Sequence, residues 1–342
     1  MLAELERLAN DSRPAVRMGA LARLAVVDGQ SADRLAAEIP VSALSNEPAD
    51  RRAAAGALAV TGGDRTVLAQ LLGDHETTVR LAALASVRSD DVSMIEPVVA
   101  ALGHTATAAA AGRALGRLGP AVAPVVDAVL ASVTTPTPTA LRLVRACGVL
   151  DDDRACAVLR NRLDDPDRIV SLAALDALRG ATVDQSLAAD LDRVLQDGAE
   201  HAAQALAALG SLGVQRDDPL GRALADEVDL ARRRVIAVLA VRHGAEASIA
   251  VQALGSPDRS RRALALESLE ATLTRAEVVL ALPIVRPDIG ADDRLAALAR
   301  VIDVPSRDGP AWLDDLVTDC DLRWRSPWLR TCATEARSAS LA

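Results

Sequence analysis

The chain has 342 residues, half of them hydrophobic, a net charge of −9 and only three aromatic residues, all Trp. An acidic chain without Lys, Phe or Tyr lacks the positive field and the stacking platforms of general nucleic-acid binding, and its charge opposes anionic membranes. All 38 basic residues are Arg, which reads as the codon bias of a GC-rich genome, and the Ala- and Leu-rich remainder favours closely packed helices.

The N-terminal MLAELERLAN carries acidic residues where a secretion signal would be basic. The first organised phrase follows at 10–24 (NDSRPAVRMGALARL) and returns at 74–87 (DHETTVRLAALASV), 164–178 (DDPDRIVSLAALDAL) and 255–269 (GSPDRSRRALALESL). In the 74–87 copy, Val79, Ala83, Leu84 and Val87 fall on one face of an α-helix. Equivalents of Leu84 are Leu21, Ala55, Leu115, Cys147, Leu175, Leu209, Val238, Leu266, Leu298 and Thr334, which gives eleven units with a period near 31. Each unit reads as helix A, a short acidic or Pro/Gly turn, and helix B. In the third, these are residues 66–72 and 77–87. Punctuation recurs at Gly62-Gly63, Gly119-Pro120, Asp165-Pro166, Asp217-Asp218-Pro219 and Ser256-Pro257. The stretches 134–139 (TTPTPT) and 283–293 are expected as irregular turns rather than domain boundaries. A lone helix pair cannot bury its apolar face, but stacked neighbours can, so residues 1–342 are expected as one array. No apolar run reaches the ~18 residues that cross a bilayer. The longest, around 121–133, is broken by Pro124 and Asp127.

The phrase Asp…Val-Arg-x-x-Ala-(Ala)-x-x-x-Leu resembles HEAT repeats, especially the short bacterial type of phycobilin-lyase-like proteins, with its best copies in the first and third units. The resemblance implies an all-α, curved, right-handed α-solenoid of about eleven helix pairs, with the B helices lining the concave side. It also implies a hydrogen-bond ladder between the turn Asp and the helix-B Arg of adjacent repeats. The six-residue spacing of that ladder occurs at Asp11/Arg17, Asp74/Arg80 and Asp288/Arg294. Arg51, Arg262 and Arg330 keep the Arg without a matching Asp, and the sixth unit keeps Asp165 but carries Ser171. Near the end, residues 326–333 (SPWLRTCA) resemble the phrase that closes the soluble HEAT region of bacterial ATP/ADP-translocase-like proteins. That likeness implies a soluble segment of a nucleotide-transporter-like membrane protein, coupled to a cyclic-nucleotide-binding domain.

Catalytic motifs are not found. His75, His104, His201 and His243 fall in different units without metal-ligand spacing and read as surface or helix-end residues. Cys147, Cys156, Cys320 and Cys332 form no CxxC pair and read as buried free thiols of a reducing compartment. Residues 112–119 (GRALGRLG) space their glycines for helix packing, not for phosphate. Asp151-Asp152-Asp153 and Asp217-Asp218 read as solvated caps. No cofactor and no metal are expected.

Charge is the informative pattern. Ten-residue windows around the Leu84-equivalents hold 20 Arg and 7 acidic residues, and the rest of the chain holds 18 and 40. Two readings stand: an anion-favouring groove, or a face that neutralises itself through the turn carboxylates. On the first, Arg23, Arg52, Arg88, Arg117, Arg145, Arg233, Arg234 and Arg300 are partner-binding candidates, and the expected partner is an acidic protein segment. Trp312, Trp324 and Trp328 crowd the last unit, 311–338, where they either cap the array or dock a neighbouring domain. The expectation is a cytoplasmic, non-catalytic scaffold or regulatory module, or a domain at the cytoplasmic face of a membrane protein. An enzyme acting on DNA or a tetrapyrrole is the third alternative.

Overall fold

The computed structural model describes residues 1–29, 31–150, 152–318, 324 and 326–340. These residues form nineteen α-helices, two 3-10 turns and no strand. They divide into two compact units, Met1–Val158 and Leu159–Ala342.

The first unit contains α1 (Leu2–Leu8), α2 (Pro14–Asp28), α3 (Ala32–Ala43), α4 (Pro48–Thr61), α5 (Arg65–Leu72), α6 (Thr77–Ser86), α7 (Ile95–Leu102), α8 (Ala108–Leu118), α9 (Ala123–Ala131) and α10 (Thr137–Cys147). Local sequence sets the ends. Pro14 and Pro48 open α2 and α4, where a missing N–H costs nothing. Asp64 caps α5 by accepting the Thr66 N–H at 2.7 Å. Gly29 and Gly62 close α2 and α4 with φ of +70° and +64°. Each odd helix packs on the even helix after it, each even helix packs on the next even one, and from α3 onward the odd helices do the same. The result is two layers of repeating helix pairs. The register positions Leu21, Ala55, Leu84, Leu115 and Cys147 are buried between them, as are Val79, Ala83 and Val87. The stretch 134–139 runs from the connection after α9 into α10, which begins inside it at Thr137.

The second unit is built differently. α11 (Asp153–Asn161) carries the boundary and α12 (Arg168–Ala177) follows. α13 (Gln185–Leu212) and α14 (Pro219–Ala253) then pack against one another as one long hairpin. α15 (Arg259–Thr272), α16 (Arg275–Val285), α17 (Ala291–Leu298), α18 (Gly309–Thr318) and α19 (Pro327–Ser340) each pack on one or both of its arms, as does α12 on α14. The helix–turn–helix units expected around Leu209 and Val238 are therefore absent, because each is a continuous helix. Gly198 lies in the middle of α13, and a lone Gly costs a helix only about 1 kcal/mol. α14 is broken at Gly244 (φ +75°, ψ −160°), beyond the eighth register position. Leu175, Val238 and Leu298 are buried, but Thr334 is exposed, and Leu329, Cys332 and Ala333 are the inward residues of α19. The second irregular stretch is shorter than 283–293: α16 runs through Pro283 to Val285 and α17 starts at Ala291.

Two helical stretches, Ala108–Ala131 and Pro219–Ala253, are long and apolar enough to cross a membrane, contrary to the sequence reading. Each is interrupted by a positive-φ glycine, Gly119 or Gly244. Each also buries apolar side chains within its own unit: Leu115 and Val126 in one, Val235 and Val238 in the other.

Candidate functional site

The two layers of the first unit differ in charge. The even helices α2 to α10 carry nine Arg and two Asp, whereas the odd helices α1 to α9 carry three Arg and six acidic residues, so the cationic windows of the sequence form one physical layer. What these guanidinium groups can bind depends on what already holds them.

One set clamps turns. Arg17, Arg51 and Arg80 each donate from Nη1 to the carbonyl six residues earlier, at Asp11 (2.7 Å), Ser45 (2.9 Å) and Asp74 (2.6 Å). Arg262 does the same in the second unit, to Ser256 at 2.8 Å. The six-residue spacing thus records a bond to the main chain, and the carboxylates of Asp11, Asp74 and Asp288 pair with other arginines. Asp11 binds Arg13 and is held at a pKa of about 2, mainly by that hydrogen bond. Arg17 instead makes a bidentate pair with Glu38 at 2.8 Å. Asp74 receives Arg51 of the preceding unit at 2.7 Å, so Arg51 does have its Asp, one unit along. Arg80 turns to Thr77 Oγ1 and the His75 carbonyl. Asp288 binds Arg286, while Arg294 donates to the Pro283, Arg286 and Ile289 carbonyls around the end of α16. Arg17 and Arg80 thus meet the main-chain carbonyls of Asp11 and Asp74, whose carboxylates are taken by Arg13 and Arg51. Ser171, in the Arg position of the sixth unit, donates to the Leu163 carbonyl at 2.6 Å and substitutes locally for the clamp.

A second set caps neighbouring helices. Arg34 donates to the Ala9 carbonyl after α1, and Arg142 to Leu102 and Gly103 at the end of α7. Arg117 donates from Nε to Val87 and from Nη2 to Leu84 at the end of α6. A cation is favoured at these carbonyls by the helix dipole as well as by the bonds.

The remaining set faces solvent. Arg23, Arg52, Arg113 and Arg145 are exposed and pair with no carboxylate among the described residues. Arg113 was missed by the register argument, although the Arg113/Arg117 spacing of four residues on α8 signals it. Arg88 is exposed and loosely paired with Asp90 at 3.6 Å. In the second unit Arg300 is exposed, as is Arg233, which reaches only its own helix at the Asp229 carbonyl. Arg234 does not belong with them. It is buried, donating to Asp197 at 2.6 Å and to Ser171 Oγ at 3.3 Å, because its helical phase points at α13 and α12. Burial alone would raise the Asp197 pKa, but the Arg234 guanidinium holds it below the ordinary carboxylate value.

Two further polar nodes lie inside the second unit. His201 on α13 is fully buried, with Nε2 2.8 Å from Glu227 on α14, and is not the surface residue expected. Complete burial pushes its pKa below the ordinary imidazole value, against the pull of Glu227. Glu277 on α16 closes a capping box with Thr274 and also accepts Arg242 and His243, each at 2.9 Å. Burial opposes its ionisation, yet the Thr274 N–H, His243 and Arg242 bring its pKa down to about 2. Residues 26 to 35 positions apart meet here only because the hairpin folds.

The tryptophans separate. Trp312 and Trp324 are buried and meet edge to face, 6.3 Å between centroids, and Trp324 tilts against His201 at 5.2 Å. They are therefore core residues joining α18 to the long hairpin rather than a surface for another domain, while Trp328 is about half exposed. The Cys147 thiol is buried and pushed up to about 11 by desolvation, and Cys332 is buried too. Cys156 is partly exposed, and Cys320 and Asp151 lie outside the described residues. Among the described residues no three His, Cys, Asp or Glu side chains converge as metal ligands. His201, Glu227 and Glu277 are buried, whereas Arg23, Arg52, Arg113 and Arg145 present their guanidinium groups to solvent, where an anion can reach them. No family model matches the chain, and no curated protein matches it.

Proposed function

We propose that the chain is a HEAT-like α-solenoid acting as a non-catalytic scaffold or regulatory module, which binds an acidic protein segment along its even-helix layer. The observation that carries this reading is the charge separation between the two layers of the first unit, together with the solvent-facing Arg23, Arg52, Arg113 and Arg145 on its cationic side. Extended repeat surfaces suit such binding because area rather than a deep pocket supplies the contacts. Arg is the apt residue, since its planar fork grips carboxylates at two points. The turn clamps support the repeat reading: the same bond recurs in successive units, and Arg51–Asp74 joins one unit to the next. Arg233 and Arg300 offer the same chemistry in the second unit.

The test is binding of a Glu/Asp-rich peptide at about 150 mM salt, where only close charge contacts survive screening. Charge reversal of Arg23, Arg52 and Arg145 together is expected to abolish capture without changing the melting temperature. Undiminished capture by the triple variant would overturn the reading.

A further inference from the structure

Where α6 ends, the surface of the first unit forms a shallow depression of about 410 Å³, lined by Ala59, Val87, Arg88, Ser89 and Arg117 among others. Its two guanidinium groups are placed by different means. Arg117 is locked from behind by its bonds to the Val87 and Leu84 carbonyls, which use two of its five N–H donors. Among the described residues, no carboxylate pairs with it. Arg88 lies against Gly62, where a side chain would collide with it: a Cβ there would sit 2.6 Å from Nη1. Its one ionic contact, the exposed 3.6 Å approach to Asp90, is the kind that contributes little and releases easily.

The charge around this depression does not balance. Arg65, Arg88, Asp90 and Asp91 offset one another beside it. Arg113 and Arg117, one helical turn apart on α8, have no such partners, and neither α6 nor α8 contains a carboxylate. Burial and the neighbouring Arg113 both work against the charge on Arg117. An incoming anion relieves that strain, and two excess positive charges are matched by a doubly charged oxyanion better than by one carboxylate. The preset fork of a guanidinium fits the tetrahedral face of such a group, and the Ser89 hydroxyl lies on the same rim.

We propose that this depression binds a phosphate-class dianion, held by Arg88 and Arg117 with Ser89 at its edge. The inference rests on the even-helix layer being a binding face, and it narrows the acidic partner to one that presents a phosphoryl group. Gly62 is held by its backbone conformation, and a side chain there would in addition push the flexible Arg88 guanidinium aside.

The experiment is calorimetric titration of the full chain at fixed ionic strength with three probes: inorganic phosphate, an acidic peptide carrying one phosphoserine, and the same peptide with Glu in its place. Saturable phosphate binding is expected, weakened about tenfold by Arg88→Gln, the loss typical of one charge-assisted hydrogen bond. Arg113→Gln, which removes only field, is expected to weaken it about twofold to threefold. Both side chains are exposed, so melting temperatures should stay unchanged and report that the fold is intact. Tighter binding of the phosphopeptide than of phosphate assigns the ligand to a modified protein; equal binding assigns it to the free anion, and either supports the site. Phosphate binding that does not saturate, or is the same in Arg88→Gln, overturns the site. If the Glu peptide still binds in that case, the scaffold reading survives alone; if no probe binds, both fail.

Discussion

The two units are made of the same residues, helices rich in Ala, Leu, Val and Arg, yet their helices are connected differently. In the first, each helix packs on its pair partner and on a neighbour in its own layer, except α1, which packs on α2, and the cross-links join adjacent pairs: Arg17 to Glu38, Ala15 to Asp50, Arg51 to Asp74. In the second, the hairpin of α13 and α14 is a hub, and the polar and aromatic nodes all converge on it: Arg234 with Asp197, His201 with Glu227 and Trp324, Arg242 with Glu277. The difference arises from punctuation. Where Gly or Pro interrupts every dozen or so residues, short helices must stack on their neighbours; where breakers are missing, one long helix offers a rail on which several others dock.

The largest test of this contrast is truncation of the core. Trp312→Ala is expected to cost about 3–5 kcal/mol and Leu84→Ala about 2–5 kcal/mol. Their reach should differ. Hydrogen exchange ought to rise across α13 and α14 in the first variant, but only in α4, α6 and α8 in the second. Equal spread in both would dissolve the distinction.

Next comes Glu277, the ionic centre of the hub. Removing it as Glu277→Ala takes the shared acceptor from Arg242, His243 and the Thr274 N–H and leaves Arg242 the exposed Asp192 as its carboxylate partner, at a cost of about 2–3 kcal/mol at neutral pH. Because its folded pKa is depressed to about 2, its contribution is complete above the ordinary Glu value of 4.5 and is lost as pH falls from there toward about 2. Thermal melts across that range should show wild type and Glu277→Ala converging in acid; parallel curves would refute the assignment. A smaller effect is expected at the break in α14. Gly244→Ala places a side chain at φ +75°, ψ −160°, a region open to glycine alone, and should destabilise by about 1–3 kcal/mol. Smallest of all is Arg145→Ala, within about 0.5 kcal/mol of wild type, since the side chain is exposed and unpaired among the described residues.

Much of the first unit was legible in sequence because its information is local. Residues 66–72 and 77–87 were read as helices and are found at Arg65–Leu72 and Thr77–Ser86, and the apolar register at Leu21 through Cys147 points inward. The cationic layer was legible as well, because one helix of each pair carries the Arg. The partners were not. A six-residue spacing cannot distinguish a bond to a carboxylate from one to a carbonyl, so it pairs Arg17 and Arg80 with the Asp11 and Asp74 side chains when they hold the carbonyls of those residues. The second unit was legible least. His201 and Glu227 become neighbours only through the hairpin, which a template of helix, turn and helix in every unit conceals. Arg234 was drawn onto the surface by its neighbour Arg233, although adjacent residues on a helix point about 100° apart.

The turn clamp has a consequence for how such a chain tolerates change. Its acceptor is a carbonyl, which every amino acid supplies, and the residues providing it are Asp11, Ser45, Asp74 and Ser256. In these four units the clamp therefore prescribes a single side chain and leaves the turn free to vary. Units can drift apart in spelling while keeping one geometry, so that kinship among them is recorded in the position of an arginine and hardly at all in the letters around it.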